Sequence, residues 1–476
     1  MSWLFRPTNV EIETNDGKWP LAALGGAVFF PPDSPVIDTL NEHYRLPSPE
    51  YKMAMAMRQK GKYVQIPEPW VYACRTLPFT HKWGGGLAVP RSANVGTVAK
   101  VDKLTCPEAE RVSLVPEIQL RSYQKIAVRN LLSRTQGIVI APCGAGKTTI
   151  GMGAIEALPT KALVLVHTND LAEQWVARCR QQLGVEATLV GGGSNDSSGR
   201  VVVALFQTLV KWDWLERYEW GKQFGLVVAD ECHHPPADTF SDVMMTMPAK
   251  YRLGLTATPQ RADGLTEILY WHFGTKLHEI TTKTLMDTGV VMSPKVVVMP
   301  TMWVPPRGDE WVKMINKMVS DSERNQFIED VAKRLVGTGR QVLLLSDRVA
   351  HCEEMAERFR ANGLSSEALV GRLSKKKRKS LLERADAGEI QIVTATTLAD
   401  EGLDLPGLGA VILGVPSKNM PKIQQRIGRV MRTREGKQTP VVIDLMDDAG
   451  AMRGMLKKRC RLYRDLGCQF SDIDEI

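Results

Sequence analysis

Between about residue 115 and residue 445 the chain alternates short apolar, β-branched runs with longer stretches whose apolar positions recur at helical spacing. GIVIA, KALVLVHT, RVVVALF and FGLVVAD come first; after SPKVVVMPT follow QVLLLSD, SEALVG, IQIVTAT, AVILGV and PVVIDLM. Unbroken apolar runs of this length mark strands buried on both faces, and the helices between them are what a doubly wound parallel sheet requires. Two such series predict two α/β units in tandem, joined near 283–294, with WVPPRGDEW at 303–311 a loop or small excursion inside the second. The N-terminal segments FFPPDSP, RLPSPEY and QIPEPW are punctuated by proline and lack this rhythm, which predicts a small α+β domain. The expected division is 1–110 for that domain, 111–288 for the first α/β unit and 289–476 for the second.

Composition changes this picture little. A length of 476 residues suits about three domains, and 61 basic against 53 acidic residues, a net charge of +8, favour a polyanionic partner only weakly. The eight cysteines form no C-x-x-C pair or His/Cys cluster at metal spacing, which argues against a zinc site or a disulfide framework. No apolar run has the length of a signal peptide core or a membrane span, so a soluble, reduced, cytoplasmic protein without a membrane partner is expected, monomeric by default.

The chemistry concentrates where GIVIAPCGAGKTTIGMGAIEAL carries a strand through Ala141-Pro-Cys-Gly144-Ala145-Gly146-Lys147-Thr148-Thr149 into a helix. Glycines at 144 and 146 let backbone N–H groups turn inward around phosphate oxygens, and the helix points its positive end at them. Lys147 then reaches the terminal phosphates and Thr148 ligates Mg²⁺. Ala141 stands where such loops usually carry their first glycine. About 80 residues on, FGLVVADECHH ends a strand in Asp230-Glu231-Cys232-His233. A magnesium nucleotide needs a carboxylate there: Asp230 to hold the metal through water, and Glu231 to orient and deprotonate the attacking water, with His233 counted among the catalytic groups.

These residues resemble superfamily 2 helicases of the DExH type, and among them the XPB-like and phage UvsW-like branch, over about 115–445. The resemblance implies two RecA-like lobes, ATP and Mg²⁺ as cofactors, and movement along nucleic acid. By similarity, LRSYQKIAV places Gln124 and Arg121 at the adenine, and Leu253-Gly-Leu-Thr256-Ala257-Thr258-Pro259 matches motif III. Arg261-Ala-Asp263-Gly264 is similar to the arginine-acid element of the XPB-like branch, with alanine at its centre. TATTLADEGLDLPG looks like motif V, which sets Gly402 and Asp404 facing the ribose. QQRIGRVMR looks like motif VI, which sets Gln425, Arg429 and Arg432 near the γ-phosphate as arginine fingers. A guanidinium delivered only on closure of a second lobe would couple that closure to hydrolysis.

A motor that tolerates any sequence should grip phosphates. The family positions offer His167, Thr168 and Asn169, the run Gly191–Gly193, and Gln207 and Thr208 in the first lobe. In the second they offer Ser346, Asp347, Arg348, Thr396 and Thr397. Each can equally be a helix cap or loop residue. The basic runs Ser374–Lys379 and Lys457-Lys458-Arg459 with Arg461 and Arg464 either flank the track or form solvated helix faces, and Trp303 and Trp311 suit core packing better than a duplex wedge. The expected partner is double-stranded or branched DNA, with the N-terminal domain selecting its geometry. RNA is the alternative track. Rival readings are a nucleotide-gated clamp and a motor coupled to a nuclease. For the nuclease, Pro32-Asp33 and Glu50-Tyr51-Lys52 imitate a cutting motif, although Ser48-Pro49 starts a helix where that motif needs strands.

Overall fold

The structure, a computed structural model, describes residues 22–24, 27–30, 34, 37–59, 63–76, 87–92, 118–258, 260–261, 263–306, 310–396, 405, 407–417, 420–447 and 450–476. Contacts among the described residues divide the chain into two compact units. One holds the residues up to Ala141 with Gly146–Ile280; the other holds Thr281–Ile476 with Pro142–Ala145.

The first unit is built on a sheet of eight strands. Their order is Ser194–Asn195, Thr188–Gly191, Val201–Leu205, Ala162–Val166, Leu226–Ala229, Tyr251–Thr256, Gln136–Ile140 and Lys276–Glu279. All neighbours are parallel except the outermost Ser194–Asn195 pair. The apolar runs of the sequence thus become these strands, and Ala162–Val166 and Val201–Leu205 are buried along their whole length. Ala141 N–H donates to Thr256 O at 2.9 Å, and Cys232 N–H to Leu255 O at 3.1 Å. These bonds bring the ends of three neighbouring strands to the same carboxyl edge of the sheet, where ligands bind in open α/β folds.

The N-terminal elements add an antiparallel sheet in the order Ala22–Leu24, Ala27–Phe30, Leu87–Pro90 and Arg75–Thr76, with helices Ile37–His43 and Pro49–Gln59. Val28, Phe30, Leu40, Tyr44, Leu87 and Val89 form its core, and Trp271 packs against them. Ala27 and Ala88 pack on Met245. Buried Arg91 donates to Ala249 O at 2.7 Å and Lys250 O at 3.1 Å, and Arg75 pairs with Asp238 at 2.8 Å, so this sheet is fastened to the helices of the first α/β sheet. Glu50 and Lys52 lie in the first turn of helix Pro49–Gln59 and not on a strand, which removes two elements of the imitated cutting motif; Pro32 and Asp33 fall outside the described residues.

The second unit is a wholly parallel seven-stranded sheet in the order Ser366–Leu369, Ile392–Ala395, Gln341–Leu345, Leu408–Leu413, Val441–Met446, Lys295–Pro300 and Gln469–Phe470. Two tandem RecA-like sheets with a small α+β N-terminal region are therefore present, as the sequence leads one to expect. Trp303 is buried among Ile315, Met318 and Val415, with Trp311 against the same cluster, so both tryptophans pack. Helix Lys375–Asp386 starts at Ser374, which accepts from Lys377 N–H, and exposes Lys376, Lys377 and Lys379: a solvated face.

The second basic run needs correcting. Arg459 is neither a solvated group nor a track contact: it is 2% exposed and chelates Asp444 at 2.7 and 2.8 Å, with the Tyr463 hydroxyl on the same carboxylate. Arg324 does the same for Asp447 at 2.7 and 3.0 Å, and Thr301 adds a bond of 2.6 Å. Removing one partner of such a pair strands a buried charge. Arg459→Ala is therefore expected to destabilise the second unit by about 3–5 kcal/mol, read as a lower denaturation midpoint in urea. A midpoint equal to that of the parent would show the pair to be dispensable.

Candidate nucleotide site

Strand Gln136–Ile140 leaves the sheet through the glycine-rich loop and re-enters structure at helix Lys147–Ala157. Gly144 and Gly146 have φ of +88° and +75°, values that only glycine adopts without strain, and these turn the loop onto the start of the helix. A Cβ on Gly146 would lie 2.6 Å from Gln124 Nε2. Gln124 is 2% exposed, and its Oε1 accepts from Arg121 N–H at 2.9 Å at the start of helix Ser122–Arg134. The side chain expected at the adenine thus lies against the phosphate loop, while Arg121 is exposed beside it. Thr148 and Thr149 are half-buried in the first turn of the loop helix.

Lys147 Nζ lies 3.1 Å from Glu231 Oε1 and donates to Ala141 O at 3.4 Å. Glu231 holds φ at +44°, a left-handed conformation that costs a non-glycine residue about 1–3 kcal/mol and recurs at functional sites. Burial opposes its ionisation, but the Lys147 ammonium, by its charge and its hydrogen bond and together with His233 and His234, keeps the carboxyl below its usual range. For Asp230 the balance reverses: burial, then the Glu231 charge, raises it. Both Asp230 oxygens are already held, Oδ1 by Glu231 N–H at 2.9 Å and Oδ2 by the indole N–H of Trp175 at 2.8 Å.

His233 is fixed by its neighbours. Thr256 Oγ1 donates to Thr258 O at 2.5 Å, so in the 2.8 Å contact with His233 Nδ1 the ring must be the donor, which leaves Nε2 as an acceptor. Burial, then the nearby His234, pushes the imidazole down to about 3, so it is neutral at ordinary pH. Motif III is in this way joined to the carboxylate loop by a hydrogen bond. Arg261 grips Asp263 at 2.6 Å and Pro235 O at 2.7 Å, which fastens the arginine-acid element to the same loop.

Hard oxygen donors at Asp230 and Thr148 suit Mg²⁺. Glu231 Oε2 is buried and has no hydrogen-bond partner, as an atom meant for an ordered water would be. Glu231, His233 and His234 also offer ligand atoms within 4.8 Å of one another, but Lys147 and Thr256 already engage the first two.

The first-unit residues expected to grip a track gather at one edge. Thr168 caps helix Asn169–Arg178, accepting from Leu171 N–H at 3.3 Å, and a Cβ on Gly192 would lie 3.0 Å from Asn169 Oδ1. Gln207 Nε2 donates to His167 O at 2.8 Å, and Thr208 Oγ1 would stand 3.1 Å from a Cβ on Gly191. In the second unit Arg348 is steadied by Asn316 at 2.9 Å. Ser346 is buried on His351 Nδ1 at 2.9 Å, and Thr396 is buried too, so neither side chain stands free at a surface. Arg429 is half-buried and Arg432 follows helix Met420–Val430, whose Arg426 pairs with Asp347 at 3.3 Å. Thr397, Gly402 and Asp404, and the Gln425 side chain, fall outside the described residues. Trp175 is the participant that sequence reasoning missed.

Comparison with known proteins agrees with this construction. Residues 117–261 match the family model described as type III restriction enzyme, res subunit, and residues 324–434 match the helicase conserved C-terminal domain. The chain belongs to the superfamily 2 helicases, a class of ATP-hydrolysing enzymes that act on nucleic acid. Within that class it is 28% identical to the probable helicase D10 of Escherichia phage T5, across 74% of this chain and 76% of that one. It is 26% identical to the DNA 3'-5' translocase XPB2 of Sulfurisphaera tokodaii, across 67% and 80%. Its fold is shared with S. cerevisiae Dbp5 bound to RNA and ADP BeF3, at a TM-score of 0.54 and 15% identity over 74% of this chain and 90% of that one. No helix among the described residues is long and apolar enough to cross a membrane.

Proposed function

We propose that the protein is an ATP-driven motor of the DExH type that translocates on double-stranded or branched DNA and remodels it, as in fork reversal or branch migration. One observation carries this reading: the Lys147–Glu231 pair, beside Asp230 and the phosphate loop, sits on the same carboxyl edge as Thr168, Asn169, Gln207 and Thr208. One rigid sheet then bears both a hydrolysis site and a row of groups suited to phosphates, the coupling a motor needs.

In the proposed cycle ATP enters the loop, and Lys147 leaves Glu231 for the terminal phosphates. The freed carboxylate takes a proton from the attacking water, whose oxygen bonds to the γ-phosphorus as the bond to ADP breaks. Thr148 and, through water, Asp230 would hold a Mg²⁺ ion, which would supply positive charge to the phosphates when bound. Arg429 and Arg432 of the second unit supply positive charge to the transferring group, and Gln124 with Arg121 recognises the base. DNA is assigned as the track in line with the relatives named as DNA translocases and helicases, and the N-terminal sheet is assigned the choice of DNA geometry.

The test is ATP turnover and strand displacement on forked, four-way, duplex and single-stranded DNA and on duplex RNA. Stimulation should be greatest on duplex or branched DNA and should grow with duplex length. Equal or greater stimulation by RNA would reject the DNA assignment, and turnover indifferent to length would favour a clamp.

A further inference from the structure

Trp175 sits on the inward face of helix Asn169–Arg178 and is 1% exposed. On one side its indole edge rests on the loop helix, where a Cβ at Gly151 would lie 2.5 Å from Cη2 and 3.4 Å from Cζ2, so only a bare backbone admits the ring. On the other, Nε1–H donates to Asp230 Oδ2 at 2.8 Å in a fully buried bond between residues 55 apart in sequence. Asp230 Oδ1 is taken by Glu231 N–H. The carboxylate therefore cannot rotate without breaking two hydrogen bonds, both of which it accepts as an acidic group inside the protein, the stronger kind. A tryptophan at a core position needs no such partner for its packing, since Trp N–H groups find acceptors of many sorts. Here the acceptor is the carboxylate assigned to the metal.

We propose that Trp175 is a positioning residue for the metal site: its indole N–H fixes the plane of the Asp230 carboxylate, so that the free lone pairs face the water shell of a nucleotide-bound divalent cation. The proposal rests on the reading of Asp230 given above. Outer hydrogen bonds of this kind set the orientation of the inner groups, and their loss commonly weakens metal binding by about 10–100-fold.

Three variants of the full chain separate the alternatives, with Mn²⁺ binding in the presence of ADP followed by electron paramagnetic resonance. Metal-free ADP binding and the thermal midpoint are measured alongside as controls. Trp175→Phe keeps an aromatic ring and loses the donor; it should weaken Mn²⁺ about tenfold with metal-free ADP binding and midpoint close to the parent's. Trp175→His restores a ring N–H at similar reach but leaves part of the pocket empty, so it should melt earlier and bind Mn²⁺ more tightly than the Phe variant. Asp230→Asn should lose most of the metal affinity. If the Phe variant binds Mn²⁺ like the parent, or if Phe and His weaken it equally, the positioning role is overturned. If Asp230→Asn binds Mn²⁺ like the parent, the assignment of Asp230 fails instead.

Discussion

Glu231→Gln is expected to lower ATP turnover by about 10²–10⁴-fold, the usual worth of a positioned general base, while ATP binding is kept or slightly strengthened. The direction of the second effect follows from the 3.1 Å pair with Lys147: the ammonium must leave Glu231 to meet a phosphate, and an uncharged amide holds it less. Lys147→Ala should abolish turnover and weaken binding as well, because the phosphate loses its cation. Single-turnover hydrolysis with radiolabelled ATP, beside equilibrium binding of a fluorescent ATP analogue, separates the two. Hydrolysis at the parent rate in Glu231→Gln would remove Glu231 from the chemistry.

The second large effect belongs to the second unit. Arg429→Ala should cut turnover by about 10³-fold or more, the range for an arginine finger, with nucleotide affinity changed only a few-fold. Arg426, three residues earlier on the same helix, provides the contrast. It is buried on Asp347, so Arg426→Ala should first lower the unfolding midpoint. If the Arg429 variant loses stability and keeps turnover, Arg429 is a structural group like its neighbour.

Elements with a local signal were legible in the sequence. The phosphate loop, the strand ending in Asp230 and both strand series could be read because a buried parallel strand writes itself as a continuous apolar run. What could not be read were pairings made across space. Trp175 stands in NDLAEQWVAR as an ordinary apolar position, and nothing nearby announces that it answers a carboxylate 55 residues away. Arg459 reads as one of a run of bases that flank the track or are solvated, although PVVIDLM holds a clue: an aspartate in the middle of an apolar strand must be answered by something, and Arg459 and Tyr463 answer Asp444. Gln124, assigned only through resemblance, is held beside Gly146 by the bond it accepts from Arg121 N–H.

The fastening of the N-terminal sheet by Arg91 bears on how its role can be probed. Cutting the chain before the first α/β sheet would uncover Trp271 and Met245 and orphan the carbonyls of Ala249 and Lys250, leaving a sticky, weakened lobe whose inactivity would say nothing about DNA choice. Exchanging exposed side chains while the anchoring arginine stays in place, for instance Lys52 or Arg58 on helix Pro49–Gln59, would ask the question of an intact machine.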